Sequence, residues 1–593
     1  MSLQIWKLLV VFITFSCSCV FGQGPVRYTV SLADPERHLV RVELAIPPGR
    51  ASHELQLPVW NALYQVRDFV QYMNWIRAKD TSGHGLQLTQ LNKSRWQISG
   101  AEGGARIEYE MFSDGPGPYG AQLNSHHAFF NLAEILLYAD DERDTPVQVV
   151  FQQVPANWKI ATPLRSDGLG YEATNYDQLV DAPVEMSTFA EADFNGSCGR
   201  YRVTLDADNA AAILKKIVSP IERMVASAAQ WMSDCPFQDY LFIYHISDSS
   251  DGGMEHAFGT AINLPATDFE KGPFIAITAH EFFHLWNVKR IRPQSLEPVD
   301  YTKENYTPAL WFSEGVDTTA AEYIELRAGL LDERQYLDQL GQQITELQNR
   351  PAHLTQSAEQ SSLDAWLEKY PRYGLRDRSI SYYNKGELVG VLLDLVMRDA
   401  SQDQASLREL FRSMNDHYAK NGKFFADSTA VRETAEKLSH ANLREFFQKY
   451  VSGVEEIPWD KFFAPVGLRV NRLQAVFAEP GFEAVQKFDQ PAVVLQVQPR
   501  SEAERAGLRA QDEILQINGD PAGRNFEKQM ANLAPAAMLR LLVRRDGAQY
   551  KLEWKLRSRE QTIFQLLDLP EVTASQKARR AAWLFDNSDN KPR

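Results

Sequence analysis

The pentapeptide His280-Glu281-Phe282-Phe283-His284 constrains this chain more than any other stretch. Two histidines four residues apart share a face on a helix, so both imidazoles can reach one ion only if this segment is helical. Histidine is scarce, 12 in 593 residues, so a chance H-E-x-x-H arrangement is rare. Zinc takes neutral imidazole nitrogen at roughly 2.0–2.1 Å and, in catalytic sites, keeps one of four positions open for water. Glu281 is then placed to take a proton from that water. The motif predicts a zinc hydrolase holding one Zn2+ per chain. Two histidines do not complete such a site. The best third donor is Glu314, in Leu310-Trp311-Phe312-Ser313-Glu314-Gly315, at the start of an expected helix. Asp317, one turn further on, is a candidate outer partner to a ligand.

A chain this long suggests about three to five domains. Its 62 Lys+Arg against 77 Asp+Glu leave a net charge of −15, which argues against nucleic acid as a partner. Lys7 precedes an apolar run over 8–15 and then small and polar residues. That run is shorter than the roughly 20 residues a membrane helix needs, and it reads as a secretory signal peptide over 1–22, cleaved before Gln23. Cys17 and Cys19 offer lipid attachment as an alternative, but the residues before them fit a lipoprotein site poorly. The mature protein is expected to be exported, periplasmic or secreted, with no transmembrane helix. Cys198 and Cys235 then remain, either as one disulfide or as two buried thiols.

The fold class read from the chain is multidomain α+β. Residues 23–185 alternate in short runs such as Tyr28-Thr29-Val30-Ser31-Leu32, punctuated by Pro47-Pro48-Gly49 and Asp167-Gly168, as in an N-terminal β-sandwich. Residues 186–466 bring the metal motif, with helices expected over 210–231, 322–349, 382–397 and 443–451 and a strand over 240–246. Residues 467–557 return to short strands. There Ser501-Glu502-Ala503-Glu504-Arg505-Ala506-Gly507-Leu508 and Asp512-Glu513-Ile514-Leu515-Gln516-Ile517-Asn518-Gly519 resemble a PDZ domain. Residues 558–593 form a tail with one helix near 574–585.

HEFFHLWNVKRIRP over 280–293 resembles the signature of the M61 peptidase family, the glycyl aminopeptidase family. LWFSEG at 310–315 is similar to its glutamate-ligand segment. Gly252-Gly253-Met254-Glu255-His256 is similar to its G-G-L-E-H segment, and Ile380-Ser381-Tyr382-Tyr383-Asn384-Lys385-Gly386 to its tyrosine segment. The resemblance implies a thermolysin-like (gluzincin) zinc domain with a helical bundle behind the β domain. It implies His280, His284 and Glu314 as metal ligands, Glu281 as base and Tyr383 as oxyanion donor. It also implies Glu255 as the carboxylate for a substrate's α-amino group, with Gly252 and Gly253 letting the substrate backbone approach. The substrates would be peptides with a free N-terminus, with Gly or Ala favoured first. The chain departs from the family at Val316-Asp317-Thr318-Thr319-Ala320-Ala321-Glu322-Tyr323, in place of a T-S-Y-Y-like run, and at Trp60-Asn61-Ala62-Leu63-Tyr64, in place of W-x-P-G-S-Y. Neither change touches the metal or base positions. Two other readings stay open: an endopeptidase on the same scaffold, or a peptide-binding protein that uses the PDZ-like module and has a silent zinc domain. That module's ligand would be a peptide or a segment of the chain itself.

Overall fold

The computed structural model describes residues 24–61, 64–247, 252–272, 274–367, 378–485, 491–522 and 526–586. The expected signal peptide lies outside them. Alternating apolar residues build the first domain. Strand Val26–Asp34 runs antiparallel to Leu39–Ile46 and parallel to Val147–Gln152 within a seven-stranded sheet. Two four-stranded sheets close over it around one core, which takes Val30 and Val42 from the large sheet, Leu55 and Trp96 from one small sheet and Phe130 and Val184 from the other. This is the β-sandwich expected from the alternation.

The second domain begins with a five-stranded sheet, ordered Ala190–Gly196, Gly199–Asp206, Asp239–Ile246, Gly259–Leu264 and Gly252–His256. The first crossover is the helix Ala210–Met232, whose buried stripe includes Leu214, Ile217, Ile221 and Val225. Cys198 and Cys235 are joined in a disulfide, tying the start of one strand to the loop before the next. The sheet is two-faced. Tyr240, Phe242 and Tyr244 join the large helical core, whereas Leu241 and Ile243 meet Phe129 of the first domain and Phe189, just ahead of the first strand of this sheet.

The helical part departs from the sequence reading at two places. The periodic run 322–349 is two helices, Asp317–Ala328 and Glu333–Gln348. Gly329 ends the first at φ 66°, a left-handed conformation that costs glycine little. Asp332 starts the second with a reciprocal capping box to Gln335. Apolar spacing continues across the break, which hides it from a periodicity reading. The segment 443–451 is a short α turn, Arg444–Phe446, running into a π-helix, Phe447–Val451.

Beyond residue 467 the chain forms a long ribbon before the PDZ-like sheet. Leu468–Glu479 pairs antiparallel with Arg557–Asp568, from Leu468 opposite Asp568 to Glu479 opposite Arg557. The PDZ-like strands lie between these two arms and have their own core, including Phe482, Val494, Ile514 and Trp554. The segment after 557 thus carries a strand besides its expected helix, Ala574–Phe585. That helix seats Trp583 in the catalytic core, where its indole donates to Tyr323 Oη at 2.6 Å. No helix of the described residues is long and apolar enough to cross a membrane.

Candidate active site

The metal helix, Phe274–Phe283, packs beneath the sheet through Phe282, which touches Phe237, Tyr240 and Phe242. Its last turn extends to His284, whose N–H donates to the His280 carbonyl at 3.2 Å. The two Nε2 atoms are 3.1 Å apart. Glu314 comes from a π-helix, Trp311–Val316, a local widening that recurs at functional sites. Its Oε2 lies 3.5 Å from His280 Nε2 and 3.2 Å from His284 Nε2. Three donor atoms thus form a near-equilateral triangle. A tetrahedral ion bound at 2.0–2.1 Å sets its ligand atoms about 3.3 Å apart, so the triangle fits zinc.

The outer nitrogens face a buried anion. Asp317 Oδ2 lies 3.4 Å from His280 Nδ1, and its Oδ1 lies 3.3 Å from His284 Nδ1. Asn287 holds Oδ1 from behind at 3.1 Å and ties the same network to the Phe312 and Ser313 carbonyls. This carboxylate fixes the ring orientations, as outer partners of metal-bound histidines do. The local field demands positive charge. Burial opposes ionisation of Glu314, but the imidazoles outweigh it and hold the carboxyl at about 2. Burial likewise works against charge on His284, yet Asp317 and Glu314 raise its pKa well above the usual value. A divalent cation satisfies both demands.

Glu281 is buried, and among the described residues its Oε2 has no hydrogen-bond partner, which leaves it available to a substrate or water. Burial lifts its carboxyl to about 8 against the lowering pull of the two imidazoles. Glu255, Glu281 and His284 each offer a donor atom within 4.8 Å of the others. Glu255 stands on the edge strand Gly252–His256, part-exposed, 3.9 Å from Lys289 Nζ. Gly252 and Gly253 have steric reasons to be glycine. A Cβ on Gly253 would lie 2.5 Å from Glu281 Cγ and Cδ, and one on Gly252, at φ 127°, would press into the Tyr119 phenol. Of the two tyrosines, Tyr382 is buried in the core, while Tyr383 is only part-buried and its ring centre lies 6.0 Å from that of His280. Ser381 caps the helix Tyr382–Ser401 by accepting from Tyr383 N at 3.2 Å.

The structure also brings in residues that the sequence reading did not select. Tyr119, from the first domain, reaches the site. Burial, together with the negative fields of Glu281, Glu255 and Glu314, pushes its pKa far up. Its carbonyl accepts from Arg67 at 2.6 Å and from Asn61 at 3.4 Å. Lys289 pairs with Asp181 of the first domain at 2.7 Å. Neither domain's sequence announces contacts that only their docking creates; the one local cue was the Gly-Pro-rich turn ahead of Tyr119. The departures at 316–323 prove mainly internal: Val316, Ala320, Ala321 and Tyr323 are core residues, and only Thr318 and Glu322 are less than fully buried.

Sequence comparison agrees with this architecture. The Peptidase M61 N-terminal domain matches over 27–188, the M61 glycyl aminopeptidase domain over 273–389 and a PDZ domain over 493–545. The fold and the site define a zinc metallopeptidase with a β-domain in front and a PDZ domain behind. The chain belongs to the M61 peptidase family. No curated protein matches it. Among solved structures it is similar to an aminopeptidase N family protein from Idiomarina loihiensis, with TM-score 0.80 and 23% identity over 94% of this chain and 100% of that one. An M1 zinc metallopeptidase from Deinococcus radiodurans gives TM-score 0.47 and 15% identity, over 73% and 94%.

Proposed function

We propose that this protein is an exported zinc aminopeptidase that removes the first residue from peptides with a free N-terminus, with Gly or Ala preferred there. The observation that carries the reading is the placement of Glu255 within 4.8 Å of Glu281 and His284. In a substrate the α-nitrogen is two bonds, about 2.5 Å, from its own carbonyl carbon. A carboxylate that anchors the ammonium therefore has to stand this close to the catalytic atoms, and it sets the cut at the first bond.

His280, His284 and Glu314 would hold the zinc, which supplies Lewis acidity to a carbonyl and to water. Glu281 takes the proton from the attacking water and passes it to the leaving amine. Tyr383 donates its phenol hydrogen to the oxygen that gains charge. The free edge of the Gly252–His256 strand pairs with the extended substrate backbone. Tyr119, packed against Gly252, narrows the space beside Glu255, which supports the small-residue preference. The disulfide supports export, since such bonds persist in oxidising compartments.

The test is a matched pair of dipeptide substrates, Ala-first with a free or an acetylated N-terminus. Cleavage of the free peptide alone is expected, and equal rates on both would establish endopeptidase action instead. Glu281→Gln should retain its zinc and lose about 10³-fold in kcat. Equal inertness of the wild type and this variant across free-amine peptides would favour the PDZ-based binding reading.

A further inference from the structure

A second histidine–carboxylate cluster lies on the other face of the same sheet, at the seam between the first two domains. His245 belongs to the face that meets Phe129 and stands in register with Asp206 on one side and Asn263 on the other. The first domain supplies Glu185 and His127 from paired strands. Glu185 Oε2 lies 2.9 Å from His245 Nε2 and 3.6 Å from His127 Nδ1. Asp206 Oδ2 lies 3.8 Å from His127 Nδ1.

The outer nitrogens decide what the inner ones can do. His127 Nε2 is 3.0 Å from Gln122 Oε1, and that amide is oriented by its own donation to Asp114 at 3.2 Å. His245 Nδ1 is 3.1 Å from Asn263 Oδ1. With its outer nitrogen donating to an amide oxygen, each neutral imidazole turns a lone pair toward Glu185. The 2.9 Å contact of His245 Nε2 with Glu185 Oε2 then needs a cation shared between the two atoms, either a proton on the imidazole or a metal ion. Glu185 is 1% exposed, yet among the described residues its Oε1 has no hydrogen-bond partner, and neither has His127 Nδ1. The arrangement repeats the logic of the catalytic centre, where outer partners fix the rings and inner atoms converge.

We propose that His127, Glu185 and His245, with Asp206 as a fourth donor, form a second divalent-metal site that clamps the β-domain to the catalytic sheet. Two imidazoles with two carboxylates suit zinc among the available cations. The role is structural, because the cluster lies across the sheet from Glu281.

Metal analysis of the full chain, stripped with chelator and reloaded with zinc chloride, tests this. Two zinc ions per chain are expected for the wild type and one for His127→Ala, a substitution at the less buried rim of the cluster. Crystals of the wild type soaked in zinc chloride should show anomalous peaks both at His280/His284 and between His127 and His245, a readout that needs no variant. One zinc in both proteins, or no peak at the domain seam, overturns the proposal. A peak at the seam alone would instead leave it standing and remove the catalytic-centre reading.

Discussion

At the scale of single residues, Gly253 is the sharpest case of shape serving chemistry. It leaves room for the Glu281 side chain, and a methyl group there would collide with two carbons of that side chain. Gly253→Ala should therefore cost at least about 10²-fold in kcat, as misplacing a reacting group does, while zinc content stays at the wild-type level. A loss of zinc alongside activity would show that the damage spreads beyond the base. Lys385 makes a different point. It is 2% exposed, and its ammonium donates to the Gly453 carbonyl at 3.2 Å. Burial pulls its pKa down to about 8. The unfolded chain then binds a proton that the folded chain sheds between about pH 8 and the ordinary lysine value near 10.5, so this residue makes stability rise with pH across that window. At pH 7 it costs up to about 3 kcal/mol. Lys385→Met should stabilise the protein at pH 7 in urea unfolding, with the advantage shrinking by pH 10. An advantage independent of pH would refute the burial account.

At the scale of elements, two helices cross at glycine. Gly315 of the Glu314 turn meets Gly386 of the helix Tyr382–Ser401: a Cβ on Gly315 would lie 2.5 Å from Gly386 Cα and 2.6 Å from the Tyr382 carbonyl. This contact joins the metal ligand to the tyrosine segment backbone to backbone. Gly386→Ala should cost about 3 kcal/mol through overpacking and weaken zinc binding as Glu314 shifts. Denaturant melts and zinc titration read the two effects. The same crossing explains what the sequence could reveal. The His280/His284 pair could be read from its spacing within one helical turn and Glu314 as the third donor the pair requires, whereas Tyr383 was reached only through the family resemblance. Tyr119 and Asp181 were legible by neither route, because their roles come from the docking of two domains that are remote in sequence. The break at Gly329 was masked by apolar residues that serve two separate helices with one continuing rhythm.

At the scale of the whole molecule, the C-terminal helix belongs to the catalytic core although the PDZ domain precedes it. Arg327 pairs with Asp586 at 2.7 Å and donates to the Trp583 carbonyl at 3.1 Å, and Arg408 meets Asp586 at 2.8 Å. Truncation after residue 556 should consequently leave the catalytic domain insoluble or markedly less heat-stable. Removal of 480–556, with the ribbon closed by a two-residue turn, should leave zinc binding and dipeptide hydrolysis near wild type. Thermal melts of the two deletions, run side by side, check the contrast, and equal stability would contradict the placement of Trp583. The ribbon also bears on descent. Glu479 and Arg557 are partners across it, so the PDZ domain enters and leaves through a single doorway. A domain hung in this way can be acquired, exchanged or discarded by one genetic event, with neither hydrophobic core rebuilt.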